Sequence, residues 1–185
     1  MRIAGGFLKN RSIKTAKGNR TRPTSEKLRQ SVFDIAEACT ENGAFLDLYA
    51  GSGAMGLEAL SRRAKKATFI EKDRSVLKIL RENITELGLS SLTTLIAGDV
   101  LTVLKRLKGE IFDLIYIDPP YGKGLQGKLL VLIDNLRLLR IGGLLFLEES
   151  SRTELEIPSL TTMYPQKKRK GGSTSVYQFQ GIRSS

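Results

Sequence analysis

Asp118-Pro119-Pro120-Tyr121 closes an apolar run, Phe112 to Ile117, that reads as a buried strand. Two prolines hold φ near about −65° and carry no N–H, so the turn is stiff and leaves the Pro119 carbonyl and the Asp118 carboxylate as acceptors. Tyr121 sets a flat face beside them. The exocyclic amine of a nucleobase has two N–H donors and a lone pair delocalised into its ring. Two acceptors that hold both hydrogens turn its nitrogen toward an electrophile. Asp118, Pro119, Pro120 and Tyr121 are therefore the candidate catalytic residues.

A second set of residues suits a small ligand. Asp47-Leu48-Tyr49-Ala50-Gly51-Ser52-Gly53-Ala54-Met55-Gly56 follows another apolar run, with glycines where a tight turn and close ligand approach are possible. Glu71 stands about 20 residues beyond that turn, the usual place of an acid that holds ribose hydroxyls. Gly98-Asp99 ends a further run, and its carboxylate can accept from an adenine amine. Gly51 to Gly56 also matches G-x-G-x-x-G, the mark of a nicotinamide-dependent oxidoreductase. Asp47 argues against that reading, because a carboxylate beside the turn suits an ammonium better than a diphosphate. Histidine, the usual acid of hydride transfer, is absent.

The elements that must position these residues alternate. Strands are predicted at Phe45 to Tyr49, Ala67 to Glu71, Leu92 to Ala97, Phe112 to Ile117 and Leu144 to Glu148, with helices between them at Met55 to Arg63, Arg74 to Leu87, Val100 to Leu107 and Gln126 to Arg137. An earlier helix is predicted from an N-cap at Thr24 through Cys39, stopped by Asn42-Gly43. Such alternation requires right-handed crossovers and a mostly parallel sheet with helices on both faces. Thr161 to Lys168 and Ser173 to Gln180, joined through Gly171-Gly172, read as a terminal antiparallel hairpin. Ser150 to Pro158 shows no helical pattern. Residues 1–23 read as a basic hairpin or arm and 24–185 as one α/β domain. In an open α/β sheet, ligands bind beyond the carboxyl ends of the strands, and the polar signals all fall there.

Composition narrows the function classes. The chain has 185 residues, enough for one well-buried core, and its apolar runs fall short of a membrane span. Without histidine and with Cys39 as the only cysteine, cysteine-rich zinc sites, disulfides and Ser-His or Cys-His nucleophiles are excluded. The absence of an apolar leader points to the cytoplasm. The net charge of +11 is concentrated: Arg2, Lys9, Arg11, Lys14, Lys17, Arg20 and Arg22 precede the first acid, and Lys167-Lys168-Arg169-Lys170 lies near the other end. Segregated positive charge of this kind points to a nucleic acid partner.

Taken together, Asp47 through Leu60, Glu71, Asp99 and the Asp-Pro-Pro-Tyr turn resemble the S-adenosylmethionine-dependent methyltransferases that act on exocyclic amines of nucleobases. Arg2-Ile3-Ala4-Gly5-Gly6, Arg22-Pro23-Thr24, Arg29 and Phe33 narrow the resemblance to the bacterial 16S ribosomal RNA guanine-N2 methyltransferase family. Tyr49 departs from the wider class, in which that position is often glycine. The resemblance implies a Rossmann-like methyltransferase fold with a seven-stranded, mostly parallel sheet, a C-terminal antiparallel hairpin and a small N-terminal appendage. It implies S-adenosyl-L-methionine held by Asp47, Tyr49, Gly51, Ser52, Gly53, Glu71, Lys72, Asp99, Val100 and Asp118, with S-adenosyl-L-homocysteine as product and no metal. It implies 16S ribosomal RNA, within a small-subunit particle, bound by a monomer through Arg2, Lys9, Arg11, Lys14, Lys17, Arg20, Arg22, Thr24 and Lys167 to Lys170. Two other readings stay open: a DNA adenine-N6 methyltransferase, and a non-catalytic RNA-binding or ribosome-assembly protein that keeps the fold.

Overall fold

Short β-branched and aromatic runs bounded by glycine and polar turns form the strands of a single sheet. The computed structural model describes residues 1–15, 25–120 and 124–183. Its strands are β1 (Ala44–Leu48), β2 (Lys66–Glu71), β3 (Thr93–Ala97), β4 (Phe112–Ile117), β5 (Leu139–Ser150), β6 (Met163–Gly171) and β7 (Thr174–Gly181), in the order β3-β2-β1-β4-β5-β7-β6. The first five are mutually parallel, and β7 runs antiparallel to both β5 and β6. The chain reverses its direction of strand addition beside β1 and β4, so the carboxyl ends of β1, β2, β4 and β5 open onto one crevice.

The central strands β1, β2 and β4 and the second half of β5 are buried on both sides, and alternate residues enter different layers. Phe45, Phe69, Leu114, Tyr116 and Phe146 pack with α1 (Glu26–Ile35), α3 (Ala54–Ser61) and α4 (Arg74–Glu86). Leu46, Ile70, Ile115, Ile117 and Leu147 pack on the opposite face with α5 (Val100–Leu104) and α6 (Gln126–Leu136). Among the described residues no helix is long and apolar enough to cross a membrane.

Three local features differ from the sequence expectation. The predicted first helix is two, because the chain breaks at Ala36 before a short α2 (Glu37–Thr40). Its N-cap is Ser25, whose side chain accepts from Leu28 N–H at 3.2 Å; Thr24, the predicted cap, lies outside the described residues. β5 begins at Leu139 instead of Leu144, and a register shift against β4 absorbs the extra residues before Leu144. In keeping with the lack of a helical pattern in residues 150–158, no helix stands between β5 and β6, and the Asp134 carboxylate near the end of α6 pins this connection. It accepts from Thr161 N–H at 2.9 Å and Thr162 N–H at 2.7 Å, and from both hydroxyls. Burial raises its pKa, but these donors outweigh it and hold the carboxyl below its ordinary value.

The N-terminal segment is stitched into the core. A hairpin with one Arg2–Ser12 bridge buries Ile3, Leu8 and Ile13 among residues of α1, α3 and α4. Gly6 has φ +76°, and a Cβ there would lie 1.9 Å from the Ser61 carbonyl oxygen, so only glycine lets the hairpin sit this close to α3. Glu58, fully buried on α3, accepts from Ala4 N–H at 2.7 Å and from Arg62 Nε at 3.0 Å, and faces Arg29 Nε at 3.8 Å. Hairpin, α1 and α3 are thereby joined through one carboxylate.

Candidate active site

The turn from β1 into α3 builds one wall of the crevice. Tyr49 and Gly51 adopt left-handed φ of 64° and 55°, and Gly53 caps α3 at φ 86°. A Cβ on Gly53 would meet Leu80 Cδ1 at 2.3 Å, and one on Gly56 would meet the Phe69 ring at 2.2 Å. These glycines let α3 settle against β2 and α4, and leave the turn backbone open on its other side. Asp47, near the end of β1, is buried and accepts from Gly56 N–H at 2.9 Å, tying strand to helix. Burial, against that hydrogen bond and with the Glu71 charge nearby, pushes Asp47 up to about 7. Glu71 accepts from Gly51 N–H at 3.0 Å and from Lys72 N–H and Asp73 N–H at 2.8 Å each, clamping the glycine turn to the end of β2.

β4 and β5 build the other wall. Asp118 follows β4 directly, its N–H donating to Leu48 O at 3.4 Å, with Pro119 buried and Pro120 exposed beyond it. Glu148 on β5 is buried and accepts a hydrogen bond from the Tyr116 hydroxyl. Burial, with the Glu148 and Asp47 carboxylates nearby, raises the Asp118 pKa well above the ordinary carboxylate value.

Between the walls lies an open cleft of about 1140 Å³, lined by Asp47, Tyr49, Gly51, Ser52, Glu71, Asp118, Pro119 and Pro120. This volume accommodates a cofactor together with part of a second reactant. Met55, Val76 and Val32 supply apolar cover, and Lys27, Arg169 and Lys170 bring positive charge to its border. The fold therefore unites the two sets of residues read from the sequence. Gly53 belongs to the turn through its backbone, whereas Lys72, Asp99 and Val100 do not line this cleft. Asp99 caps α5, accepting from Leu101 N–H at 3.1 Å. Burial, and to a lesser degree the charge of Asp99, raises the Tyr49 phenol to about 12. Tyr121 lies outside the described residues, as do Lys17, Arg20, Arg22 and Thr24.

The basic residues part company. Lys14 is ion-paired with Glu82 at 3.2 Å and also with Glu86, and Arg11 donates to the Glu86 carbonyl at 3.2 Å. Arg2 and Lys9 are exposed and do not line the cleft. Lys168 pairs with Glu154 at 2.8 Å and lies over the Tyr177 ring. Within the hairpin, Arg169 and Lys170 line the cleft and Lys167 does not. Sequence reasoning missed Lys27, Tyr116 and Glu148. The signal for Glu148 was present, since it ends the apolar run Leu144 to Leu147 at the same sheet edge as Glu71 and Asp118.

A family model described as "Conserved hypothetical protein 95" matches residues 1–180. Ribosomal RNA small subunit methyltransferase D of Buchnera aphidicola is 32% identical over 165 residues, covering 89% of this chain and 86% of the relative. The chain belongs to this family. The solved structure of a putative methyltransferase, yhhF from Escherichia coli, superposes with a TM-score of 0.86 at 26% identity, covering 98% of each chain. An RNA methyltransferase from Salinibacter ruber, solved with S-adenosyl-L-homocysteine, shares the fold at TM-score 0.66 and 17% identity, over 89% of this chain and 96% of that one. The Rossmann-like methyltransferase architecture and the family expected from the motifs are thus those of the protein.

Proposed function

We propose that the protein transfers a methyl group from S-adenosyl-L-methionine to the exocyclic N2 amine of a guanine in 16S ribosomal RNA. The carrying observation is that Asp118 and Pro119 face the same cleft as the glycine turn, Asp47 and Glu71. Family membership supports ribosomal RNA as the substrate.

The residues fit the cofactor. Asp47 is a buried carboxylate whose ionisation a cationic amine would favour, and Glu71 keeps acceptor capacity for ribose hydroxyls beside an open glycine backbone. Tyr49 and Ser52 would flank it, while Lys72, Asp99 and Val100 would form the adenine end beyond the cleft. When bound, S-adenosyl-L-methionine supplies an electrophilic methyl carbon on a sulfonium and departs as S-adenosyl-L-homocysteine. Asp118 and the Pro119 carbonyl hold both N2 hydrogens, so the nitrogen presents its lone pair out of the plane of the base. Tyr121 stacks on that base once it is turned out of its RNA context. As N2 gains the methyl it must lose a proton, and the raised pKa of Asp118 suits its carboxylate to take it. Fixing two reactants in line supplies on the order of 7–11 kcal/mol of the barrier reduction. Lys27, Arg169 and Lys170 meet RNA phosphates at the rim.

The setting proposed is a cytoplasmic monomer acting on a small-subunit particle. Nucleotide mapping of ribosomal RNA from cells with and without the gene tests the reaction. Loss of one N2-methylguanosine on deletion supports it; an unchanged methylation map overturns it, and loss of N6-methyladenine from DNA would establish the rival reading.

A further inference from the structure

Asp118 accounts for recognition of an amine, which guanine and adenine both carry. It does not account for choosing between them. The two bases differ at the neighbouring ring atom: guanine presents N1–H beside its N2 amine, whereas adenine presents an N1 lone pair beside its N6 amine.

β4 and β5 are parallel, with Tyr116 opposite Phe146 and Ile117 opposite Leu147, so Asp118, the first residue beyond β4, comes beside Glu148, which is still within β5. Strands of one sheet lie about 4.8 Å apart. Tyr116, Asp118, Phe146 and Glu148 all line the cleft, as residues two apart on a strand share a face. The Tyr116 hydroxyl donates to Glu148 Oε1 and so fixes the orientation of the carboxylate. Two carboxylate oxygens offer about four acceptor positions, which leaves capacity for a donor on a ligand.

We propose that Glu148 is the base-selecting residue of this site, accepting the guanine N1–H while Asp118 and Pro119 hold the adjacent N2 amine. The inference rests on the reading of guanine N2 as the methylated atom. A base with an N1 lone pair would set that lone pair against the carboxylate. A buried site built for a donor discriminates strongly against a partner that lacks one.

The probe is small-subunit RNA ligated from synthetic pieces, carrying either guanine or 2-aminopurine at the mapped nucleotide. 2-Aminopurine keeps the 2-amine but has an N1 lone pair. The wild-type protein is expected to show kcat/KM about 10⁴-fold lower on 2-aminopurine. In Glu148→Gln the amide oxygen can keep the Tyr116 bond while the amide N–H faces the base. Guanine turnover should then fall and 2-aminopurine turnover rise, bringing the ratio to within about threefold of one. Glu148→Asp, which keeps an acceptor, should retain the guanine preference. Calorimetric S-adenosyl-L-methionine affinity, expected to be unchanged in both variants, confirms that the site is intact. Equal use of both bases by the wild type, or a ratio that Glu148→Gln leaves unmoved, overturns the assignment. If the wild type methylates neither RNA, the functional reading itself falls, a result distinct from a failed ratio.

Discussion

The two walls of the cleft use the same kinds of side chain in opposite ways. On the β1–β2 side, Asp47 and Glu71 accept backbone N–H groups of the glycine turn and of α3, and Lys14 is paired with acids on α4. Their charge is largely spent on holding the protein together. On the β4–β5 side, burial and the nearby Glu148 and Asp47 carboxylates raise the Asp118 pKa, and Arg169 and Lys170 face the opening. The first arrangement fixes a ligand against a rigid frame; the second keeps groups ready to exchange hydrogen bonds, protons and ions with a substrate. Identical residue types thus serve framework or chemistry according to whether the fold supplies their partners.

Breaking the reactive wall should give the largest effect. Asp118→Ala is expected to lower kcat by about 10³-fold or more, since one of the two acceptors that orient the amine is lost. Cofactor affinity by calorimetry should stay within about twofold. Near-normal turnover would erase the distinction between the walls.

Glu71→Ala attacks the framework wall and should show the converse pattern. Three backbone N–H groups lose their acceptor. Cofactor binding is expected to weaken by about 1–3 kcal/mol, with a lower Tm in the unliganded protein. Unchanged affinity with a large loss of kcat would place Glu71 on the reactive side.

A pH series sharpens the contrast further. Burial raises Asp47 to about 7, so its carboxylate is mostly neutral below that pH and mostly ionised above it. An ammonium-bearing ligand favours the ionised form, hence its affinity should fall as pH drops, by about tenfold between pH 7.5 and 6. Asp47→Asn should bind more weakly and flatten this dependence. A flat profile in the wild type would show that Asp47 is framework alone.

The smallest effect expected concerns the basic residues. Each phosphate contact contributes about −0.7 to the slope of log affinity against log salt on single strands. Replacing Arg169 and Lys170 by Ala should reduce the slope by roughly 1.4 and raise the RNA KM. Lys14→Ala should leave the slope nearly unchanged, because Lys14 already faces Glu82 and Glu86. Equal changes in the two variants would mean that both ends of the chain meet RNA alike.

Much of this was legible in the residue order. Strand periodicity, the glycine turn and the stiff proline turn are local properties, set by side-chain alternation, positive φ and missing N–H groups, so a sequence determines them without tertiary contacts. The rule that ligands meet the carboxyl edge of an α/β sheet then located Asp47, Glu71 and Asp118 together. Partnership was decided only in three dimensions. Lys14 meets Glu82 and Glu86 because the N-terminal hairpin docks on α4, and Asp134 pins the β5–β6 connection by catching Thr161 and Thr162. Glu148 reaches Asp118 only through the β4–β5 register. Charge and hydrogen-bonding capacity are written in each side chain, but whether they remain available depends on neighbours that are distant in sequence, and the tertiary fold supplies those.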